Sequence, residues 1–309
     1  MRVAVVGAGG IGGFLAAALA RIGVAVAVVA RGAHLEAIRK DGLRVRSDLG
    51  DFAVRVEASD DLRELGSFDA LLCTFKSHQW PAIFSQLAAF EKSGATLATL
   101  QNGLPFWYVR DPPLHSVDPG GRIAACFGDE RIAGGVVHVS GHVEAPGLVS
   151  QSGGTRYALG APGGGESARV RALVQIMRAA GLQAEFDPAI RTTLWLKLVN
   201  NAGLNPVSAL RGLSIARMLE DERARSEVRA LMEETLRVGQ AIGVVQAVDL
   251  DARIAYASRL ADVKTSMLQD RERGRPLELD PILGAVIELA DRCGIAVPAL
   301  RAAFAALQR

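Results

Sequence analysis

The stretch that decides the fold lies at the N-terminus and reads Val3-Ala4-Val5-Val6-Gly7-Ala8-Gly9-Gly10-Ile11-Gly12. Residues 3–6 predict a buried parallel strand, and the apolar run 14–20 predicts a helix. A glycine-rich turn between two such elements brings bare backbone N–H groups and a helix N-terminus against a pyrophosphate. In this pattern Gly7 permits the tight turn, Gly9 the close approach and Gly12 the packing of helix on strand. The stretch therefore predicts a dinucleotide site formed by Gly7, Ala8, Gly9, Gly10, Ile11 and Gly12.

The residue that follows the second predicted strand indicates which dinucleotide is bound. Residues 24–30 form that strand, and Arg31 comes directly after it. An acid near this position would hold a ribose 2′-hydroxyl, whereas an arginine suits a 2′-phosphate. The sequence therefore predicts NADPH/NADP+ as the cofactor. A solvated strand-end arginine with no ligand is the alternative for Arg31.

Composition limits the classes of protein that remain. The chain has 309 residues, 50% of them hydrophobic and 22% charged, which is typical of a packed protein with two domains. A net charge of +2 is too small to indicate a nucleic-acid or membrane partner. The apolar run 3–30 contains Arg21 and several glycines, which argues against a signal peptide or membrane span. The cysteines 73, 126 and 293 lie far apart, so we expect small buried hydrophobes in a cytoplasmic protein.

Two further predicted strands end in polar residues. Residues 69–75 end at Lys76, and residues 94–100 are followed by Gln101-Asn102-Gly103. Because ligands bind at the carboxyl ends of parallel strands, we expect Lys76 and Asn102 to lie on the same edge as the glycine turn. A strand-end cap or turn residue is the alternative for each.

The rest of the chain divides into a strand-rich part and a helical part. Residues 134–150 predict a hairpin or a pair of edge strands. Within them His138 and His142 would stand about 13 Å apart, too far for a metal pair. Beyond residue 190 the patterns are helical, with predicted helices over 223–243 and 251–273 and a further one that Asp280 caps and Gly294 closes. The expected architecture is an α/β Rossmann-type domain, residues 1–188, followed by an all-α domain, residues 189–309.

The start of the helical part carries a polar cluster. Lys197, Asn201 and Asn205 are spaced four apart, so they share one face of a helix whose other residues are mostly apolar. Pro206 predicts that the helix kinks or ends at Asn205. A buried lysine must find partners or lose its proton, and both outcomes shift its pKa. A structural lysine that reaches solvent is the alternative. Farther along, Glu278 is expected in a loop.

Five segments together resemble the ketopantoate reductase (2-dehydropantoate 2-reductase) family. They are the glycine turn, Phe75-Lys76, Gln101-Asn102-Gly103, the Trp-x-Lys-x-x-x-Asn-x-x-x-Asn-Pro stretch at 195–206, and Ser-Met-Leu-Gln-Asp at 266–270 followed by Glu278. The resemblance implies a Rossmann domain with a helical domain of the 6-phosphogluconate-dehydrogenase type. It also implies site residues by position: Lys197 as proton donor, Glu278 as its catalytic partner, Asn201, Asn205 and Ser266 at the substrate, and Lys76, Asn102 and Ser140 at the cofactor.

The reaction that the resemblance implies is the reduction of a 2-oxo acid by NADPH between the two domains. The leading substrate is ketopantoate, reduced to (R)-pantoate as in pantothenate biosynthesis. Residues 211–215 lack an asparagine that ketopantoate-specific members commonly carry, so a broader 2-oxo-acid or imine reductase is an alternative. A non-catalytic NADP(H)-binding sensor is another. The residues leave the oligomeric state open, with a homodimer among the possibilities.

Overall fold

The computed structural model describes residues 1–258 and 262–308, which form two compact units. The first contains Met1–Gln101 and Arg122–Ile190, and the second contains Asn102–Gly121 and Arg191–Arg309. Residues 102–121 lie within the predicted first domain, yet they cluster with the helices. The backbone N–H of Leu104 donates to the carbonyl of Pro281, and the Tyr108 hydroxyl donates to that of Arg191. The segment is thus held by residues that come much later in the chain.

The first unit is a ten-stranded sheet with helices, as the α/β prediction requires. Its helices are α1 (Gly10–Arg21), α2 (Gly32–Asp41), α3 (Trp80–Ala88), α4 (Arg122–Cys126) and α5 (Ala168–Ala179). Its strands are β1 (Arg2–Val6), β2 (Ala25–Val29), β3 (Leu43–Arg46), β4 (Phe52–Val54), β5 (Glu57–Ser59), β6 (Ala70–Cys73), β7 (Thr96–Thr99), β8 (Ile132–Ala145), β9 (Leu148–Gly160) and β10 (Gln183–Phe186).

The sheet is parallel in one part and mixed in the other. Its strands run in the order β4-β3-β9-β8-β7-β6-β1-β2-β5, with β10 beside β9. All neighbours from β8 to β5 are parallel, while β8 with β9 and β3 with β4 are antiparallel. The predicted hairpin is confirmed as β8–β9, but it lies inside the sheet rather than at an edge. The ends of β1, β2, β6 and β7 meet at one edge because these strands are parallel.

The core of this unit explains the long apolar run at the N-terminus. Val3 to Val6 are buried, as are residues 12–19 of α1, so both the strand and the helix are covered on nearly all sides. A parallel strand buried on both faces reads as a continuous hydrophobic run. Within residues 1–258 and 262–308, no helix is long and apolar enough to cross a membrane.

The second unit is built from helices in the part of the chain that the structure describes. They are α6 (Ile190–Arg211), whose first residue belongs to the other unit, α7 (Ile215–Glu220), α8 (Glu222–Ala241), α9 (Leu250–Ala257), α10 (Ser266–Glu272), α11 (Ala285–Arg292) and α12 (Pro298–Leu307). Helix α6 packs closely on α8. A Cβ at Gly239 of α8 would lie 2.1 Å from the indole nitrogen of Trp195 in α6, so only glycine fits there.

Two details of the helical prediction are wrong, and at Pro206 the predicted helix end is wrong while the predicted kink stays a prediction. Helix α6 continues through Pro206 to Arg211 without ending at Asn205. Its flanks are buried from 202 to 209, and this packing outweighs the lost hydrogen bond at the proline. The predicted helix 251–273 is interrupted after α9, and Thr265 caps a new helix by accepting from the N–H of Leu268. Asp280 lies inside a π-helical first turn rather than at a cap.

The cysteine prediction is correct for only one of three side chains. Cys73 is buried in β6, and its burial raises the pKa of its thiol. Cys126 is partly exposed, and Cys293 is exposed where α11 ends. The sequence pattern failed because a cysteine at a helix end has no periodicity that reveals burial.

Candidate active site

The glycine turn of the first unit is held by two hydrogen bonds and by the close packing of α1. The N–H groups of Gly7 and Ala8 both donate to the carbonyl of Val29, at 3.1 and 3.0 Å. Gly7 has a φ of +104°, a conformation that favours glycine. A Cβ on Gly12 would lie 2.1 Å from the Gly7 carbonyl oxygen, so the helix approaches its own turn as the prediction requires.

Gly9 is the glycine of the turn that faces open space. A Cβ built on Gly9 meets no described atom within 4 Å, and the residue is exposed. No side chain caps α1, and its first turn contains no acid. Within the described residues, the N–H groups of Gly10, Ile11 and Gly12 have no protein acceptor, as is usual in the first turn of a helix. The turn is therefore a cradle that an anion can fill without displacing a side chain or a carboxylate.

Arg31 and Lys76 occupy strand ends beside this turn. Arg31 is exposed and stands two residues beyond Val29, whose carbonyl holds the turn. Lys76 follows β6, where the Thr74 hydroxyl donates to the Gly7 carbonyl at 2.7 Å. The Lys76 backbone N–H donates to the side-chain oxygen of Gln79 at 3.1 Å. Arg31 and Lys76 thus each stand two residues beyond a residue that contacts the turn.

The β8–β9 hairpin also packs against the glycine turn. A Cβ on Gly10 would lie 2.2 Å from the backbone of Gly141, so the hairpin backbone lies directly against the start of α1. Ser140, exposed in β8 at a register shift, precedes this contact. The side-chain nitrogen of Gln101, just beyond β7, is buried with no partner among the described residues. Such an orphaned amide suits a ligand at this edge, and Gln101 is not among the predicted site residues.

Lys197 lies on α6 in the second unit and contacts a residue from a distant part of the chain. Its ammonium donates to the Oδ1 atom of Asn102 at 2.9 Å, across 95 residues of sequence. Burial lowers the pKa of Lys197 from 10.5 to about 8, although the Glu278 carboxylate acts in the opposite direction. A fixed lysine with a pKa near neutrality can give up its proton during a reaction.

The other predicted residues of this unit are placed as follows. Asn201 and Asn205 lie on α6, one and two turns beyond Lys197, with Asn201 partly exposed and Asn205 buried. Glu278 is in a loop, as expected, and its side chain is buried, at 7% exposed. Ser266 is exposed at the first position of α10. The structure thus joins Lys197 with Asn102 and Glu278, and the assignment of Asn102 to the cofactor stays a prediction.

Two family models match the chain over most of its length. The model described as ketopantoate reductase PanE/ApbA matches residues 3–164, and its C-terminal counterpart matches residues 189–309. The chain belongs to the ketopantoate reductase family. The predicted family is therefore confirmed, and with it the class of oxidoreductases.

Individual relatives agree with this assignment. A 2-dehydropantoate 2-reductase from Mesorhizobium japonicum is 39% identical over the whole chain and 97% of the relative. The crystal structure of 2-dehydropantoate 2-reductase from Geobacter metallireducens has a TM-score of 0.89 at 29% identity, covering 100% of this chain and 99% of the other. A D-mandelate dehydrogenase structure with NADH and anilino(oxo)acetate has a TM-score of 0.87, and at 20% identity it shows a shared fold.

Proposed function

We propose that this protein reduces 2-dehydropantoate (ketopantoate) to (R)-pantoate with NADPH, and that Lys197 donates the proton. The observation that carries the proposal is the contact of Lys197 with Asn102 and the lowered pKa of its ammonium. The names of the relatives support the substrate, since they are 2-dehydropantoate 2-reductases.

The cofactor would be held by the first unit. The cradle at Gly9 to Gly12 suits a pyrophosphate, and Arg31 suits a 2′-phosphate. When bound, NADPH supplies a hydride for the keto carbon of the substrate. No acid in the first turn of α1 opposes the phosphates.

The proton would come from the Nζ atom of Lys197. With a pKa of about 8, about nine in ten lysines carry the proton at pH 7. Asn102 accepts one N–H of the ammonium and so fixes its position, while the Glu278 carboxylate favours the charged form. Donation to the forming alkoxide leaves a neutral amine, which burial makes easier to tolerate.

The substrate carboxylate would be held by neutral groups. Ser266 can donate its hydroxyl, and Asn201 and Asn205 present amides along the face of α6 that carries Lys197. Arg211, which also lies on α6, is paired with Glu227, its Nε atom 2.8 Å from the carboxylate. Because Arg211 is already paired, we expect Ser266 and the two amides, rather than Arg211, to bind the substrate carboxylate.

The test of the proton donor is the Lys197→Ala variant, with Lys197→Met as a second variant that keeps most of the side-chain volume. General-acid catalysis contributes about 10²–10⁴ in rate, so kcat should fall at least a hundredfold in both. The Kd of NADPH should change little. Lys92→Ala, at an exposed lysine of the other unit, is the matched control.

If Lys197 had only a structural role, the two variants would behave differently. Both variants would then lose melting temperature while the folded fraction keeps a near-native kcat, and that result would remove Lys197 from the mechanism. The substrate is tested by NADPH oxidation with ketopantoate, unbranched 2-oxo acids and cyclic imines. A kcat/KM at least a decade higher for one of the others would replace ketopantoate. Tight NADPH binding without turnover on any of them would indicate a sensor.

A further inference from the structure

His34 joins two turns of the first unit that are far apart in sequence. It lies in the first turn of α2, three residues beyond Arg31. One ring nitrogen, Nε2, lies 2.8 Å from the carbonyl oxygen of Ala8 in the glycine turn. The other, Nδ1, accepts the backbone N–H of Gly147 at 3.0 Å, in the tight turn between β8 and β9.

These two contacts fix the state of the ring. Nδ1 accepts a hydrogen bond, so it carries no proton. The proton must then be on Nε2, which donates to the Ala8 carbonyl. His34 is therefore neutral in this structure, and burial lowers its pKa, although the Ala8 bond acts in the opposite direction.

The two bonds hold the parts of the cradle together. Ala8 is followed directly by Gly9, the residue that faces open space, and Gly10 lies against Gly141 of the same hairpin. Gly147 has a φ of +74° and packs on Ala37 of α2, so the hairpin turn is also supported from the helix. The ring of His34 is thus the side chain that connects the glycine turn with the hairpin turn.

We propose that His34 is a positioning residue of the dinucleotide site, which ties the glycine turn to the hairpin and so holds the N–H groups of Gly9 to Gly12 ready for a pyrophosphate. The inference rests on the proposed function, because the pyrophosphate belongs to the proposed cofactor. Its consequence is a proton-sensitive affinity. A protonated Nδ1 cannot accept from Gly147, so protonation of His34 loosens the cradle and weakens cofactor binding.

Other charged groups on the adjoining elements do not account for this behaviour. The hairpin carries His138, His142, Glu144 and Arg156, where Glu144 is paired with Arg46 and Arg156 with Glu185. Helix α2 has Glu36 paired with Arg39, Lys40 and Asp41 lie at its end, and Arg31 precedes it. The glycine turn has no titratable side chain. Burial and the Ala8 bond, rather than these charges, shift the pKa of His34.

The experiment compares the Kd of NADPH for wild type, His34→Ala and His34→Gln between pH 5 and 8, with exposed His115→Gln as the control. Glutamine keeps one donor and one acceptor at similar spacing but does not titrate in this range. We expect His34→Ala to raise the Kd at pH 7.5 by about tenfold or more, the effect of losing two hydrogen bonds. His34→Gln should restore most of the affinity. The ratio of its Kd to that of the wild type should fall toward acidic pH, below the lowered pKa of His34, because only the wild type weakens through its histidine. The titration of NADPH itself is common to both proteins and cancels in the ratio.

Two outcomes overturn the proposal. In the first, His34→Ala lowers the melting temperature but leaves the Kd of the folded protein unchanged, as a purely structural histidine would. In the second, the ratio for His34→Gln is independent of pH. A wild type that binds no NADPH at any pH would refute the proposed cofactor. The ring state is then tested alone by nitrogen NMR of the unliganded protein, where a proton on Nδ1 at pH 7.5 contradicts the bridge itself.

Discussion

Neutralising Glu278 should move the alkaline limit of activity to lower pH. Burial lowers the pKa of Lys197 from 10.5 to about 8, a change of about 300-fold in its protonation equilibrium, and the Glu278 carboxylate partly opposes this effect. If Lys197 must be protonated to react, kcat/KM for the 2-oxo acid should be constant below about pH 7. It should then fall about tenfold per pH unit above about 8. Glu278→Gln removes the group that raises the pKa of Lys197, so the midpoint of the decline should lie below that of the wild type, at a pH under about 8.

The assay is kcat/KM for reduction from pH 6 to 10, in wild type, Glu278→Gln and a control. Glu272→Gln is the control, because Glu272 is an exposed carboxylate of the same unit whose partner is Lys264 at 2.7 Å. It should leave the profile unchanged. Three results would refute the reasoning: a wild-type decline near 10.5, no decline at all, or a shift of the Glu278→Gln profile to higher pH. The direction of the shift does not depend on how much the variant lowers the maximum rate.

Other predictions concern the first unit. Gly9→Ala should fold normally, because its Cβ meets open space, yet weaken NADPH binding as measured by calorimetry. Gly12→Ala places a Cβ 2.1 Å from the Gly7 carbonyl and 2.3 Å from the Thr74 hydroxyl, so it should lose about 1–3 kcal/mol of unfolding free energy in urea. Equal unfolding free energies for Gly9→Ala and Gly12→Ala would contradict the close packing of Gly12 on Gly7 and Thr74. Arg31→Ala should lower the preference for NADPH over NADH by about ten- to a hundredfold, the worth of one charge-assisted hydrogen bond. An unchanged ratio of the dissociation constants of NADPH and NADH would show that Arg31 does not set this preference.

Local sequence patterns were sufficient for the first strand, turn and helix of the first unit. The run 3–12 specifies strand, turn and helix with residues that are adjacent in the chain, so the prediction needed no long-range information. The face shared by Lys197, Asn201 and Asn205 was equally predictable, because helical spacing alone puts them together. These parts of the fold depend on periodicity and on glycine conformation.

The parts that the sequence did not reveal depend on distant contacts. Pro206 signals a helix end locally, but the burial of its neighbours keeps α6 continuous. Nothing in the spacing of Asn102 and Lys197 shows that they meet. The sequence also gives no sign of the bridge made by His34, since its two partners are 26 and 113 residues away. A single sequence carries no signal for such pairs.

The segment 102–121 has a consequence for recombination between members of the family. It is encoded in the first half of the gene, within the region of the N-terminal family model, but it folds with the helices of the second half. It is fastened there by Glu288, whose carboxylate accepts the N–H groups of His115 and Ser116, and by Arg292, which donates to the carbonyls of Pro112 and Pro113. In a chimaera joined at residue 188, residues 102–121 would come from a different protein than Lys197, Glu288 and Arg292, which they contact. Exchange of the first unit between family members thus requires that residues 102–121 stay with the helices of the second unit.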